Sequence, residues 1–243
     1  MKKKPSEPEN RKSSASRGVT RGPVPVEEEI YQLITQGIIA KRILPGARLK
    51  EASLASEFGV SRMRVRRVLG RLVELNVLEF RLNIGAVVCR PSPDESRSVF
   101  RTRKLLESEA IEVVTRFGER SVFAQLHESI REEKIAFDTK AKGVAALSSR
   151  FHLLLGEASR NRVLAGILHQ LVHRCVLIQS LYERYNEESV CLVHEHAEIV
   201  DLMEQGNAAA ATRAMAEHLD HIEATLDYSV RAEFDKRLEV AIG

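Results

Sequence analysis

The chain has few cysteines, no long apolar run and no sustained two-residue alternation over its second half, and each absence removes a class of protein. Its three cysteines, Cys89, Cys175 and Cys191, are an odd number without CxxC spacing. That argues against a disulfide framework or a thiolate zinc site and leaves buried or free thiols. No apolar run approaches the roughly 18 to 20 residues that span a bilayer, and the amino terminus lacks the apolar stretch of a signal peptide. The expectation is a cytoplasmic protein. After Asp94 no segment alternates with period two for long enough to need a sheet.

What is present is enough for two modest domains: 243 residues, 44% of them hydrophobic, with a mean hydropathy of −0.20. The net charge of +3 hides an asymmetry. Basic residues number seven against two acidic over residues 1–25 and eleven against seven over 26–91, but nineteen against twenty-five over 92–243. A polyanion would be drawn to the first third and not to the rest.

Residues 1–25 place lysine and arginine among Ser, Pro and Gly with almost nothing apolar. Such a composition cannot offset the entropy of ordering, so a disordered basic tail is expected. From Glu27 to Ala40, Ile30, Tyr31, Leu33, Ile34 and Ile38 recur at helical spacing, and Glu27, Glu28 and Glu29 suit the positive end of the helix dipole. Leu44-Pro45-Gly46 then ends the helix.

The segment Lys50 to Arg71 predicts a short helix, a turn at Gly59 and a second helix capped by Ser61. In that second helix Val65, Val68, Leu69 and Leu72 form one apolar stripe, and Arg62, Arg64, Arg66, Arg67 and Arg71 fall off it. Within the helix only Arg71 has an acidic neighbour, Glu74. A face this basic repels itself and suits a polyanion better than plain solvent. Two short β-prone runs, from Val77 to Phe80 and from Ala86 to Cys89, flank a tip with Asn83 and Gly85 and predict a hairpin wing. Pro91 and Pro93 mark the boundary. Beyond them, helices are expected near 94–117, 119–138, 141–158, 161–184, 187–205 and 207–237.

The fold class is therefore mainly α. A winged helix-turn-helix of three helices and a hairpin over 26–92 precedes an all-α antiparallel bundle over 93–238.

At this point the residues resemble a known family. Leu44-Pro45-Gly46, Leu49-Lys50-Glu51, Leu54-Ala55, Phe58-Gly59-Val60-Ser61-Arg62 and Val65-Arg66, followed by Gly85, are similar to the winged helix of GntR-family bacterial transcription regulators. Arg103 with Glu107, Phe151-His152 with Asn161, Glu195-His196 with Ile199 and Gly206-Asn207, and Ala214-Met215 with His218-Leu219 resemble the FCD effector domain of the FadR branch. The resemblance implies a homodimer on palindromic operator DNA, responsive to a small organic acid. It implies Ser61, Arg62 and Arg66 as DNA-reading residues and Gly85 at the wing tip. The chain departs from the usual SRTPVREAL at Met63, Arg64 and Arg67. Met63 could touch a thymine methyl, and Arg64 and Arg67 add charge toward phosphate.

Eight histidines lie at 127, 152, 169, 173, 194, 196, 218 and 221. His152, His196 and His218 fall on three expected helices, which a bundle can bring together. In the resembling family the matching histidines, with an Asp one turn before the first, hold a divalent metal; here that position is Ser148. Three imidazoles with water or an effector carboxylate still suit zinc or nickel. A pocket of hydrogen-bonded histidines that takes the acid directly is the alternative. Arg103 is the expected carboxylate clamp, completing an effector set of Arg103, Ser148, His152, His196 and His218, although an i, i+4 salt bridge with Glu107 would also explain it. His169 and His173 are expected on a solvated or dimer-facing surface. His194 is expected to point away from His196, and His221 to support His218.

The function expected is a transcriptional regulator, a repressor, governed by a small carboxylate. A metal-dependent hydrolase with an accessory nucleic-acid domain is the competing class, but the matched positions offer only Glu195 and Glu217 as acidic bases.

Overall fold

The computed structural model describes residues 25–39, 41–141, 144–182 and 193–229. The expected basic tail, Cys191 and the stretch beyond residue 229 lie outside these described residues.

The first unit holds α1 (Val26–Ile39), β1 (Arg48–Leu49), α2 (Glu51–Glu57), α3 (Arg62–Glu74), β2 (Leu78–Arg81) and β3 (Gly85–Val88). The Ser61 hydroxyl accepts from the Arg64 amide and starts α3, and Gly59 turns the chain at φ +62° in open space. The apolar stripe of α3 buries Val65, Val68, Leu69 and Leu72 against Ile30, Ile34 and Ile38 of α1. The hairpin expected from the sequence forms, with Leu78 opposite Val88 and Arg81 opposite Gly85. A third strand was not anticipated: β1 pairs antiparallel with β3 to give the order β1-β3-β2. Two residues are too short to show a period, so only the fold reveals the strand.

The second unit is a bundle of α4 (Pro93–Phe117), α5 (Arg120–Asp138), α6 (Val144–Ala158), α7 (Arg162–Tyr182), α8 (Val193–Glu204) and α9 (Ala208–Ala224). Pro93 starts α4 rather than merely breaking the chain. It sits in the first turn, where its missing N–H is no loss, behind the Ser92 cap. The last helix is shorter than expected, ending at Ala224; the Asp227 amide then donates to the Tyr182 carbonyl.

By length and composition α7 is long and apolar enough to cross a bilayer, contrary to the expectation that no segment would be. Its apolar residues serve two cores instead. Leu168, Val172, Cys175, Ile178 and Tyr182 pack into the bundle, and Leu177 packs into the core of the first unit. Fully burying each such side chain contributes about 1.5–3 kcal/mol, so α7 ties the two units together.

Candidate functional site

Each helix that feeds the bundle's polar centre carries polar residues on its buried stripe. On α4 the stripe is Val99, Phe100, Arg103, Glu107, Ala110, Ile111 and Val114. On α5, Glu133 sits among Leu126, Ser129, Ile130 and Ala136. His152 follows Phe151 on α6, His196 lies between Val193 and Ile199 on α8, and His218 lies between Met215 and Leu219 on α9. Helical spacing aims all of these inward, and burial makes every unpaired charge expensive.

The imidazoles of His152, His196 and His218 converge. Nε2 of His196 lies 3.0 Å from Nε2 of His218, which lies 3.4 Å from Nε2 of His152. The far nitrogen of each ring meets a carboxylate: His152 Nδ1 at 2.6 Å from Glu107, His196 Nδ1 at 2.8 Å from Glu133, and His218 Nδ1 at 2.7 Å from Glu195. Burial would raise the Glu107 carboxyl, but Arg103 and His152 hold it down at about 2; His218 and His221 hold Glu195 at about 2 against the same opposition. An ionised carboxylate can only accept, so Nδ1 of His152 and of His218 carries the proton and donates, which leaves their Nε2 atoms bare. All three rings turn Nε2 toward one another in a buried centre.

Lone pairs facing at 3.0–3.4 Å repel unless a cation or proton sits between them. Burial lowers His152 to about 3 and His218 to about 4, with neighbouring positive groups adding to the effect, so those two rings stay neutral at pH 7. A divalent ion with M–N bonds near 2.0–2.1 Å in tetrahedral geometry separates its nitrogens by about 3.3 Å. The residues present fit such an ion, with outward carboxylates of the kind that orient metal-bound histidines.

Arg103 uses one edge of its fork on Glu107, its Nε donating at 2.7 Å, so the salt bridge foreseen from the i, i+4 spacing is made. Its Nη2 is buried with no hydrogen-bond partner. The guanidinium lies close enough to His152 and His218 to disfavour their protonation. Two halves of an anion site thus coexist: a half-used guanidinium and a set of bare imidazole nitrogens. Ser148 stands one turn before His152 on α6, half-buried, and supplies no carboxylate.

Sequence reasoning missed Glu133 altogether and took Glu107 only as a partner of Arg103. The signal for Glu133 was available, because a carboxylate on an otherwise apolar stripe needs a buried partner. Phe151, stacked on His196 with centroids 4.2 Å apart, fixes that ring from the apolar side. His221 supports His218 indirectly, its Nδ1 lying 2.6 Å from Glu195, and His194 is exposed. Glu195 is thus engaged by two imidazoles, and Glu217 is exposed. His169 is exposed, but His173 is half-buried between the two units, contrary to the surface expected: its Nδ1 donates to the His169 carbonyl and its Nε2 faces the Tyr31 hydroxyl at 3.4 Å.

The neutral imidazoles make a pH prediction for chelator-treated protein. Unfolded histidine titrates near 6.5, whereas folded His152 and His218 resist protonation down to about 3 and 4. The unfolded chain binds more protons as pH falls, so the stability contributed by these rings is complete above about 6.5 and is lost progressively toward pH 4. Thermal melts should show a steady fall in Tm over that window; a flat Tm down to pH 5 would contradict the assignment.

The basic face of α3 is exposed but not uniformly available. Glu27 of α1 receives Nε and Nη2 of Arg64 at 2.6 Å each, which drops its carboxyl to about 2. Arg71 lies 3.5 Å from Glu28 and over the Tyr31 ring. Acidic partners for Arg64 and Arg71 are thus supplied by α1. Arg62 has no acidic partner among the described residues and Arg67 acts on Glu27 only through its field, while Arg66 lies over the ring of Phe80 on the wing, 5.5 Å from its centroid. Met63 is 70% exposed beside them. The wing extends past Gly85, which opens β3 at φ +94°, to Leu82, 89% exposed.

Residues 26–88 match the family model described as bacterial regulatory proteins, gntR family, and residues 98–221 match the FCD domain. The Bacillus subtilis HTH-type transcriptional regulator YdhC is 25% identical over 204 residues, covering 82% of this chain and 90% of its own length. The Escherichia coli HTH-type transcriptional repressor RspR is 24% identical over 199 residues, covering 82% and 87%. Among solved structures, E. coli McbR/YncC superposes with a TM-score of 0.69 at 19% identity, covering 87% of this chain and all of that one.

Proposed function

The chain belongs to the GntR family of bacterial regulatory proteins with an FCD domain, and from that premise we propose a cytoplasmic, homodimeric repressor released or engaged by a small carboxylate bound at a divalent metal. That it is a transcription regulator follows from the family. The carboxylate, the metal, the dimer, the boundaries at 26–92 and 93–238 and the named contacts are our reading.

One observation carries it: the Nε2 atoms of His152, His196 and His218 converge, and the guanidinium of Arg103, whose Nη2 is buried without a partner, lies close enough to act on His152 and His218. Zinc or nickel on those nitrogens would supply an open Lewis-acid position for a carboxylate oxygen. Arg103 would take the other oxygen through its free edge. Ser148 takes the position at which the resemblance implies an aspartate, so water or the effector would complete the ion's shell. A second copy of the chain is supported by the apolar side chains that α4 and α7 leave exposed, Leu105 and Phe117 on one, Val163 and Ile167 on the other.

A route from pocket to operator runs through α7. Cys175 lies against Arg103, and each perturbs the other's ionisation. The preceding residue, Arg174, binds Glu95 at the start of α4 and the carbonyl of Asn76, just past α3. An anion that draws Arg103 inward would act on α7 and hence on the recognition helix. Effector and DNA affinities must then shift reciprocally.

Elemental analysis of mildly purified protein tests the metal, and operator binding with and without added carboxylates tests the effector. About one ion per chain and a carboxylate-dependent shift in operator affinity are expected. Absence of the ion with an intact carboxylate response would favour direct acid binding by the imidazoles. Glu133→Gln keeps the shape but replaces the carboxyl that faces His196 Nδ1 with an amide, so metal affinity should fall by about 10- to 100-fold, measured by competition with a chromogenic chelator. An unchanged affinity would remove Glu133 from the site.

A further inference from the structure

A second cavity, of about 420 Å³, opens between α1 of the DNA-reading unit and the α6–α7 pair of the bundle. It includes neither Arg103 nor any of the three converging imidazoles. Ile38 and Val77 form its wall on one side, and Leu153, Val172, Val176 and Leu177 form it on the other. Its size lies within the range of small-molecule sites, about 300–1,000 Å³, and its apolar lining with a few polar groups is of the same kind.

We propose that this interdomain cavity is a second ligand site, for an amphipathic monoanion with a hydrocarbon body and one acidic head. No aspartate or glutamate lines it, while Arg42 and His173 do. Arg42 has no acidic partner among the described residues, so its guanidinium is available to a carboxylate or sulfonate. The Tyr31 hydroxyl and the His173 ring contact each other across the two units at this wall, 3.4 Å apart. The apolar area of the walls favours a hydrocarbon body over the small, polar carboxylate assigned to the metal centre, so the two sites prefer different ligands. An occupant touches both units at once and therefore biases how they are held together. The assignment stands independently of the metal.

The test is a fluorescence titration of the full chain with anilinonaphthalene sulfonate, displaced by octanoate. Val176→Phe or Ala146→Phe fills the cavity from half-buried and rim positions and should abolish octanoate-displaceable binding. Arg42→Gln, at an exposed position, should weaken octanoate by about tenfold through loss of a charge-assisted contact. His152→Ala with His218→Ala should leave octanoate affinity unchanged, and octyltrimethylammonium should not compete. Equal octanoate affinity in both filled variants and in Arg42→Gln would overturn the proposal, as would loss of binding in the histidine double variant.

Discussion

His152→Ala combined with His218→Ala is expected to strip the bundle of its ion and to abolish the carboxylate response while leaving α3 able to bind DNA. The double variant removes two of three nitrogen donors. For small zinc sites the whole binding free energy is about 10–16 kcal/mol over four ligands, so two ligands account for about 5–8 kcal/mol and a loss on the order of 10⁴-fold or more. It also leaves Glu107 and Glu195 without their imidazole donors. Glu107 is fully buried but keeps Arg103; Glu195 keeps His221. The fold should therefore survive with reduced stability. Arg103→Lys separates the two roles: the ion should remain and the carboxylate response should fall, because an ammonium lacks the planar fork that gives Nε to Glu107 and keeps Nη2 unpaired. Metal content by elemental analysis and operator binding by fluorescence anisotropy provide the readouts. A double variant that keeps a stoichiometric ion would refute the histidine centre.

The parts of this architecture that were legible from residues alone are those with a strong period. Val65, Val68, Leu69 and Leu72 fix the face of α3 because a 3.6-residue repeat leaves them one way to be buried. The helices of the bundle could be placed to within a few residues for the same reason. The strand Arg48–Leu49 and the end of the last helix at Ala224 could not, since both depend on partners remote in sequence: β3 for the strand, the Tyr182 carbonyl just past the helix. Pairing across elements is invisible to local pattern.

The centre divides along the same line. The histidines stood out as titratable groups on apolar stripes, and the resemblance grouped them. The carboxylates behind them did not, because one glutamate among the three or four on each helix reads as a solvated residue until its stripe is drawn. Glu133 lies at helical spacing from Leu126, Ser129 and Ile130 and is nearly fully buried. Its role appears only once His196 arrives from α8.

On the basic face of α3 the contacts of Arg64 differ from those of Arg62 and Arg66, the two arginines that the resemblance assigns to base reading. Arg62→Ala with Arg66→Ala is expected to cost operator binding about 2–6 kcal/mol, at about 1–3 kcal/mol per bidentate base contact, and so to reduce affinity by roughly 30-fold to more than 10⁴-fold. Arg62 opens α3, where a recognition helix meets base edges. Arg66 is held over Phe80 on the wing, which restricts its rotamers before DNA arrives. Arg64 differs because Nε and Nη2 of its guanidinium already form a bidentate pair with Glu27. To reach a phosphate it must first leave a bidentate partner, and the pair as it stands carries no net charge. Arg64→Ala should therefore weaken binding less than either Arg62→Ala or Arg66→Ala. It should leave the slope of log affinity against log salt nearly unchanged, where each lost phosphate contact would flatten that slope by about 0.9. Titrations of the promoter beside its own gene at several salt concentrations measure both quantities. If Arg64→Ala were the most damaging of the three, the Arg64–Glu27 pair would have to open on DNA, and the charge that reads the operator would be one that the free protein holds in reserve.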